Sequence, residues 1–333
     1  MSQPFEISVE HGDILTTAAD VVVLKHAQAF YGADRAVAEV LIDGGADSDD
    51  LAPGSGDYIY LTTGGRLAAA HALFVGVKDL GYFDYPDIRK FASRSLEALA
   101  DVAPATRRVA MTVHGPEFGL DEIEALLAQY RGLRDAERLG RVPAALSTIM
   151  IVEIHQRRAQ RLAQALDEIS TELLPPPRRG DVQRGEQEAE QAISTTEAKA
   201  LAFVAMPFKE EMNDHFYYGI QQPVRSVGFI CERIDQAFFT GDILQQIQAK
   251  IENAAVVIAD ITGSSANVFL EIGYAWGRER PTILLAAEGQ DLKFDIQGQR
   301  CLRYKSIRHL EELLEEELSK LIDQGAISTT AGS

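Results

Sequence analysis

The chain has 333 residues, with 32 Lys and Arg against 50 Asp and Glu, a formal net charge of -18. That length accommodates two domains of roughly 150 residues, each able to bury a core. Apolar residues at 46% and charged residues at 25% match globular averages and exclude a disordered or fibrous chain; the spread carboxylates make nucleic acid an unlikely partner.

Met1 to Glu6 lacks the basic and then apolar run of a secretory signal. No apolar run approaches the roughly 18 residues of a membrane span, so a cytoplasmic location and no membrane partner are expected. Strands are predicted at 5–9, 20–24, 58–62, 70–77, 107–113 and 147–154, where β-branched residues cluster. Helix-period patterns fill 34–42, 86–101, 120–131 and 155–173 between them. This first series occupies 1–173. It ends at Pro175-Pro176-Pro177, which opens a polar linker over 174–198 rich in Gln and Glu.

The second series spans 199–325, followed by a tail at 326–333 expected to be flexible. Its strands are predicted at 201–206, 229–234, 254–261, 282–286 and 300–304, and its helices at 212–227, 242–253, 268–278 and 306–323. Short strands separated by helices of this length imply parallel pairing. The expected fold class is therefore α/β in two domains. Cys231 and Cys301 lie in strand-like runs without Cys or His at metal-ligand spacing, and His11, His26 and His114 show no such spacing either. Buried reduced thiols and no metal are expected.

In open parallel α/β sheets, ligands gather where strands end and helices begin. Here those places carry Met206-Pro207-Phe208, Arg233 with Asp235, Asp242 opening a helix, and Asp260. After Asp260, the residues Gly263, Ser264, Ser265 and Asn267 lead into a helix bearing Glu271. Small side chains and unpaired N–H groups at such a helix start suit a phosphate or ribose.

The segments Phe203 to Phe208, Asp242 to Ile251, Val257 to Asp260 and Asn267 to Ala275 resemble the nucleoside 2-deoxyribosyltransferase and TIR-like superfamily. The likeness runs from Leu201 to Tyr304 and implies a flavodoxin-like parallel sheet. It also implies cleavage of an N-glycosidic bond in a nucleoside, nucleotide or NAD, with Glu271 as the catalytic carboxylate. An ionised Glu there attacks or stabilises the oxocarbenium character that builds at the anomeric carbon. Nicotinamide leaves NAD as a neutral molecule. A nucleoside base needs a proton, for which Asp260 or Asp235 is the candidate donor. Ser264 to Val268 replace the Asp-Ser-Gly-Thr element of the transferases, which favours hydrolysis of NAD or a nucleotide over deoxynucleoside transfer.

Glu6 to Leu24, with Gly12-Asp13-Ile14 at its turn, and His114-Gly115-Pro116-Glu117-Phe118-Gly119 resemble a macro domain, a mixed sheet with helices that binds ADP-ribose and its relatives. The resemblance implies that Asp13 accepts a hydrogen bond from adenine, that the phosphates lie near Gly115 to Gly119, and that Ile14 and Gly32 also line the ligand site. Lys25 to Gln28 stand where that family carries paired asparagines, and Tyr31-Gly32-Ala33 shortens its glycine loop, which argues against ADP-ribosyl hydrolysis.

Together the resemblances imply a small nucleotide ligand, NAD as substrate rather than cofactor, and assembly into a homo-oligomer. They also imply an effector restrained by the first domain, by analogy with bacterial antiphage defence. The alternatives are an unregulated deoxyribosyltransferase or nucleotide N-glycosidase, and a non-catalytic nucleotide sensor.

Overall fold

The structure, a computed structural model, describes residues 5–173, 199–234, 243–290 and 300–331. The chain divides into two compact units, Met1–Glu117 with Glu122–Pro176, and Phe118–Asp121 with Pro177–Ser333. No helix among the described residues is long and apolar enough to cross a membrane.

The first unit holds six strands, β1 (Glu6–His11), β2 (Val21–His26), β3 (Tyr58–Thr62), β4 (His71–Gly76), β5 (Arg108–Met111) and β6 (Thr148–Glu153). They form one sheet in the order β1-β6-β5-β2-β4-β3. All neighbours are parallel except β3, which runs antiparallel to β4. Every residue of β2 is buried, as a central strand covered on both faces must be. The helices are α1 (Gly32–Asp43), α2 (Tyr85–Val102), α3 (Glu122–Arg138) and α4 (Gln156–Leu173). A capping box starts α2: Asp87 N–H donates to the Asp84 side chain, and Asp84 N–H donates back to Asp87. Gly132 lets α3 press onto α2, since a Cβ there would stand 2.1 Å from the Arg89 carbonyl oxygen.

The second unit holds β7 (Leu201–Ala205), β8 (Ile230–Glu232), β9 (Ala254–Asp260), β10 (Thr282–Ala287) and β11 (Cys301–Tyr304). Every pairing is parallel, in the order β11-β10-β9-β7-β8. Counted from its own first strand this is 2-1-3-4-5, the flavodoxin-like doubly wound order, with its switch point between β7 and β9. One face carries a π-helical segment, His215–Gln221, then α5 (Gln222–Ser226) and α8 (Ile307–Asp323). The other carries α6 (Ile243–Asn253) and α7 (Ala266–Gly277).

Two expectations change. The helix predicted over 212–227 is α-helical only in its last part; Pro223, lacking an N–H, cannot continue a regular ladder through it. Of the tail expected to be flexible, the described residues 326–331 are tied down. Ala200 N–H donates to Thr329 O at 2.7 Å, Lys199 bridges Thr330, and Ile327 is 6% exposed in the core. Of the two thiols, Cys231 is buried and Cys301 half-buried.

Candidate active site

The switch point brings together the chain leaving β7 and the chain leaving β9. Beyond β9 it turns tightly. Gly263 and Ser264 both adopt left-handed backbone, φ 79° and 55°, and Ser264 N–H closes onto Ile261 O at 3.0 Å. Gln290 clamps the turn from both sides, accepting from Gly263 N–H at 3.2 Å and donating to Ser264 Oγ at 3.3 Å. From the β7 side Lys209 reaches over, its Nζ 4.0 Å from where a Cβ on Gly263 would stand. Ser265 is the N-cap of α7, and its hydroxyl is not spent on capping.

Glu271 is the sixth residue of α7, beyond the first turn where a carboxylate merely complements the helix dipole. Val268, Ile272 and Ala275 make the buried stripe of the helix. Helical spacing puts Glu271 beside that stripe, on one flank with Asn267 and Tyr274. The neighbouring charges satisfy each other there: Tyr274 OH donates to Glu252 Oε1 at 2.5 Å, and Arg278 pairs with Glu252 at 2.7 Å. Glu271 makes no hydrogen bond or ion pair among the described residues. It is half-buried, and the loss of water around the carboxylate pushes its pKa from the ordinary 4.5 up to about 7.

Asp260 is arranged differently from the expected proton donor. It is 0% exposed. Ala259 and Ile261 pack with α7, so strand alternation turns Asp260 to the face of the π-helical segment and α8. Its Oδ2 accepts from Tyr304 OH at 2.9 Å and its Oδ1 from Thr262 N–H at 2.9 Å. Thr262 Oγ1 lies 3.1 Å from the same Tyr304 hydroxyl and accepts from Ala287 N–H at 2.9 Å. One carboxylate thereby joins the ends of β9, β10 and β11. Burial raises the Asp260 pKa against those hydrogen bonds, and burial together with the Asp260 charge raises that of Tyr304.

Met206 and Pro207 are buried at the end of β7, while Phe208 is exposed. Arg233, on the face shared by Cys231 and Met206, lies under a roof of aromatic rings, 4.7 Å from the Phe208 centroid and 4.1 Å from that of Phe216. Its Nη2 donates to Asn213 Oδ1 at 3.0 Å. Cation–π contacts and this bond hold the guanidinium in one place. Asp235 and Asp242 lie outside the described residues. Lys209, Asn213, His215 and Phe216 were not singled out from the sequence, because only the chain reversal after β7 carries them to the strand ends.

In the first unit, β1, β2, β4, β5 and β6 end on one edge of the sheet. Asp13 there forms a local turn: its Oδ1 accepts from Leu15 N–H at 2.9 Å and its carbonyl from Thr17 Oγ1 at 2.8 Å. The Ile14 side chain is packed in the core. Gly32 and Gly115 hold positive φ, 49° and 107°. Pro116–Phe118 is a single 3₁₀ turn, and the expected loop 115–119 is shared out, since Phe118 and Gly119 group with the second unit. Two features at the strand ends escaped sequence reading. Lys25, 3% exposed, pairs with Asp34 at 2.5 Å. His114 is equally buried, its Nε2 has no hydrogen-bond partner among the described residues, and burial, then the Lys25 charge, pushes its pKa well down.

No protein-family model matches the sequence, and no curated protein matches it. Among solved structures, a CMP N-glycosidase from Clostridium botulinum is similar at 21% identity over 35% of this chain and 98% of its own, TM-score 0.31. A mutant macrodomain from Oceanobacillus iheyensis is similar at 11% identity over 52% and 98%, TM-score 0.38. A Trypanosoma brucei macrodomain in complex with ADP-ribose is similar at 15% identity over 48% and 68%, TM-score 0.36. The fold class rests on the sheet topology: α/β, with a six-stranded mixed sheet and a five-stranded parallel sheet.

Proposed function

We propose that the second unit hydrolyses the N-glycosidic bond of a nucleotide, NAD or a related molecule, and that the first unit controls it. The observation that carries this reading is Glu271: half-buried, unpaired among the described residues, and one turn inside a helix that opens at the switch point of a doubly wound sheet. A half-buried carboxylate without a counter-ion is placed at an energetic cost that folding alone does not require. Opposite an anomeric carbon that cost becomes useful, because the developing positive charge is then the missing partner.

The remaining roles follow from position. Gly263, Ser264, Ser265 and Asn267 would hold the ribose or phosphate at the start of α7. Met206, Pro207, Phe208 and Arg233 would form the opposite wall, with Asp235 and Asp242 belonging to the same site. Asp260 would support that wall from below. In the first unit Asp13, Ile14, Gly32 and Gly115 to Glu117 would take a nucleotide-derived ligand such as ADP-ribose. Binding there, or assembly of several copies, would release the activity, and antiphage defence in bacteria is the setting that such restraint suits.

The test is incubation of the whole protein with NAD, with nucleoside 5′-monophosphates and with deoxynucleosides, with and without ADP-ribose, followed by chromatography for free base. Release of nicotinamide or of a nucleobase with water as acceptor supports the reading. Base exchange between deoxynucleosides would make the protein a transferase, and no release from any of them would leave a binding module.

A further inference from the structure

An N-glycosidase acting on an ordinary nucleotide needs a proton donor, and Asp260 is walled off behind Tyr304 and Thr262. The same network carries a titratable group without an assigned task. His215 begins the π-helical segment, a helix form that recurs at functional sites. It lies ten residues beyond the end of β7, past a 3₁₀ turn at Glu210–Met212. Its ring leans on that of Tyr304, with centroids 5.7 Å apart. Since Tyr304 OH is bonded to Asp260 at the end of β9, His215 adjoins the side-chain network that ties the strand ends together.

His215 Nδ1 is buried and has no hydrogen-bond partner, and the residue makes no hydrogen bond among the described residues. A buried ring nitrogen left unpaired in a protein calls for a reason. His215 and the Asp260 carboxylate meet on the same Tyr304 side chain, one against its ring and the other at its hydroxyl. The segment is also braced from its other side, where Arg233 stacks on Phe216 and bonds Asn213. An imidazole held by its ring contact beside that carboxylate–phenol pair has the chemistry of a proton donor.

We infer that His215 is the group that protonates the departing base, with Asp260 acting through it rather than on the substrate; the inference rests on the N-glycosidase reading above. As the C1′–N bond breaks, its electron pair passes to the base, and imidazolium Nε2–H gives that base its proton. The Glu271 carboxylate meets the positive charge left on C1′. Water then adds hydroxide to C1′, and its remaining proton returns to His215, so that the net reaction adds one water across the bond.

The experiment uses the full chain, wild type and His215→Asn, with two substrates: CMP, whose cytosine must be protonated, and 4-nitrophenyl ribofuranoside 5′-phosphate, whose phenolate leaves unprotonated. The expected result is a fall in kcat of about 100-fold or more on CMP and a change within about threefold on the nitrophenyl compound. The second activity also shows that the variant is folded. Equal losses on both substrates would make His215 structural and overturn the inference, as would an undiminished rate on CMP. Hydrolysis of the nitrophenyl compound alone by the wild type would overturn it too, since no base would then need a proton. If the wild type hydrolyses neither, the N-glycosidase reading itself falls.

Discussion

Asp260 and Glu271 belong to opposite faces of the five-stranded sheet, Asp260 to the side of Tyr304 and Glu271 to the side of α6. Two carboxylates eleven positions apart thus do different work. One is a buried tie between strand ends. The other stands on α7 without a counter-ion among the described residues. Tyr304→Phe removes a donor from the buried Asp260 while keeping the ring, and should cost about 1–3 kcal/mol in urea denaturation.

The activity should follow the ionisation of Glu271. Only the carboxylate form faces positive charge productively, so loss of its proton switches the site on. With a leaving group that takes no proton, such as nicotinamide from NAD, kcat/KM should rise as the pH climbs towards about 7 and level off above it. Steady-state assays across that range read the limb directly.

The same raised pKa carries a stability prediction of definite sign. The native carboxyl holds its proton up to about 7, against 4.5 in an unfolded chain. Its contribution is therefore complete below the unfolded value and is lost as the pH rises through about 7. Glu271→Gln cannot ionise. It should match the wild type in acid and exceed it by on the order of 2 kcal/mol at a pH of roughly 8.5, after discounting for the group's partial exposure. Urea midpoints at the two pH values give the comparison.

Close packing in the first unit can be probed at Gly132. An added methyl would meet the Arg89 carbonyl oxygen at 2.1 Å and Ala92 Cβ at 2.9 Å. Helix propensity alone favours alanine there, but the backbone of α2 cannot yield as a side chain would. Gly132→Ala should destabilise by about 1–3 kcal/mol, with α2 and α3 the elements whose amide protection falls.

Much of this architecture is written in residue patterns. β-branched runs alternating with helical periods place the eleven strands found among the described residues, and strand-end reasoning puts Gly263 and Ser264 before the helix that carries Glu271. The antiparallel direction of β3 was readable too, since only eight residues separate Thr62 from His71, too few for a crossover. Pro223 announced the break within 212–227. Strand alternation from Ala259 and Ile261 already turns Asp260 away from α7. What it could not reveal is the partner. Tyr304 arrives from the far edge of the sheet, and its bond to Asp260 depends on three strands lying side by side. Tertiary encounters of that kind also bring His215 to Tyr304 and Ile327 into the core.

The proposed role of Glu271 is to face the anomeric carbon of a nucleotide with its carboxylate. It is tested most directly by following base release from NAD and CMP by the wild type and by Glu271→Gln, which keeps the side-chain shape and loses the charge. The wild type should turn over, and the rate should fall by roughly 1,000-fold or more in a variant that remains folded. Equal turnover by the two proteins would contradict it.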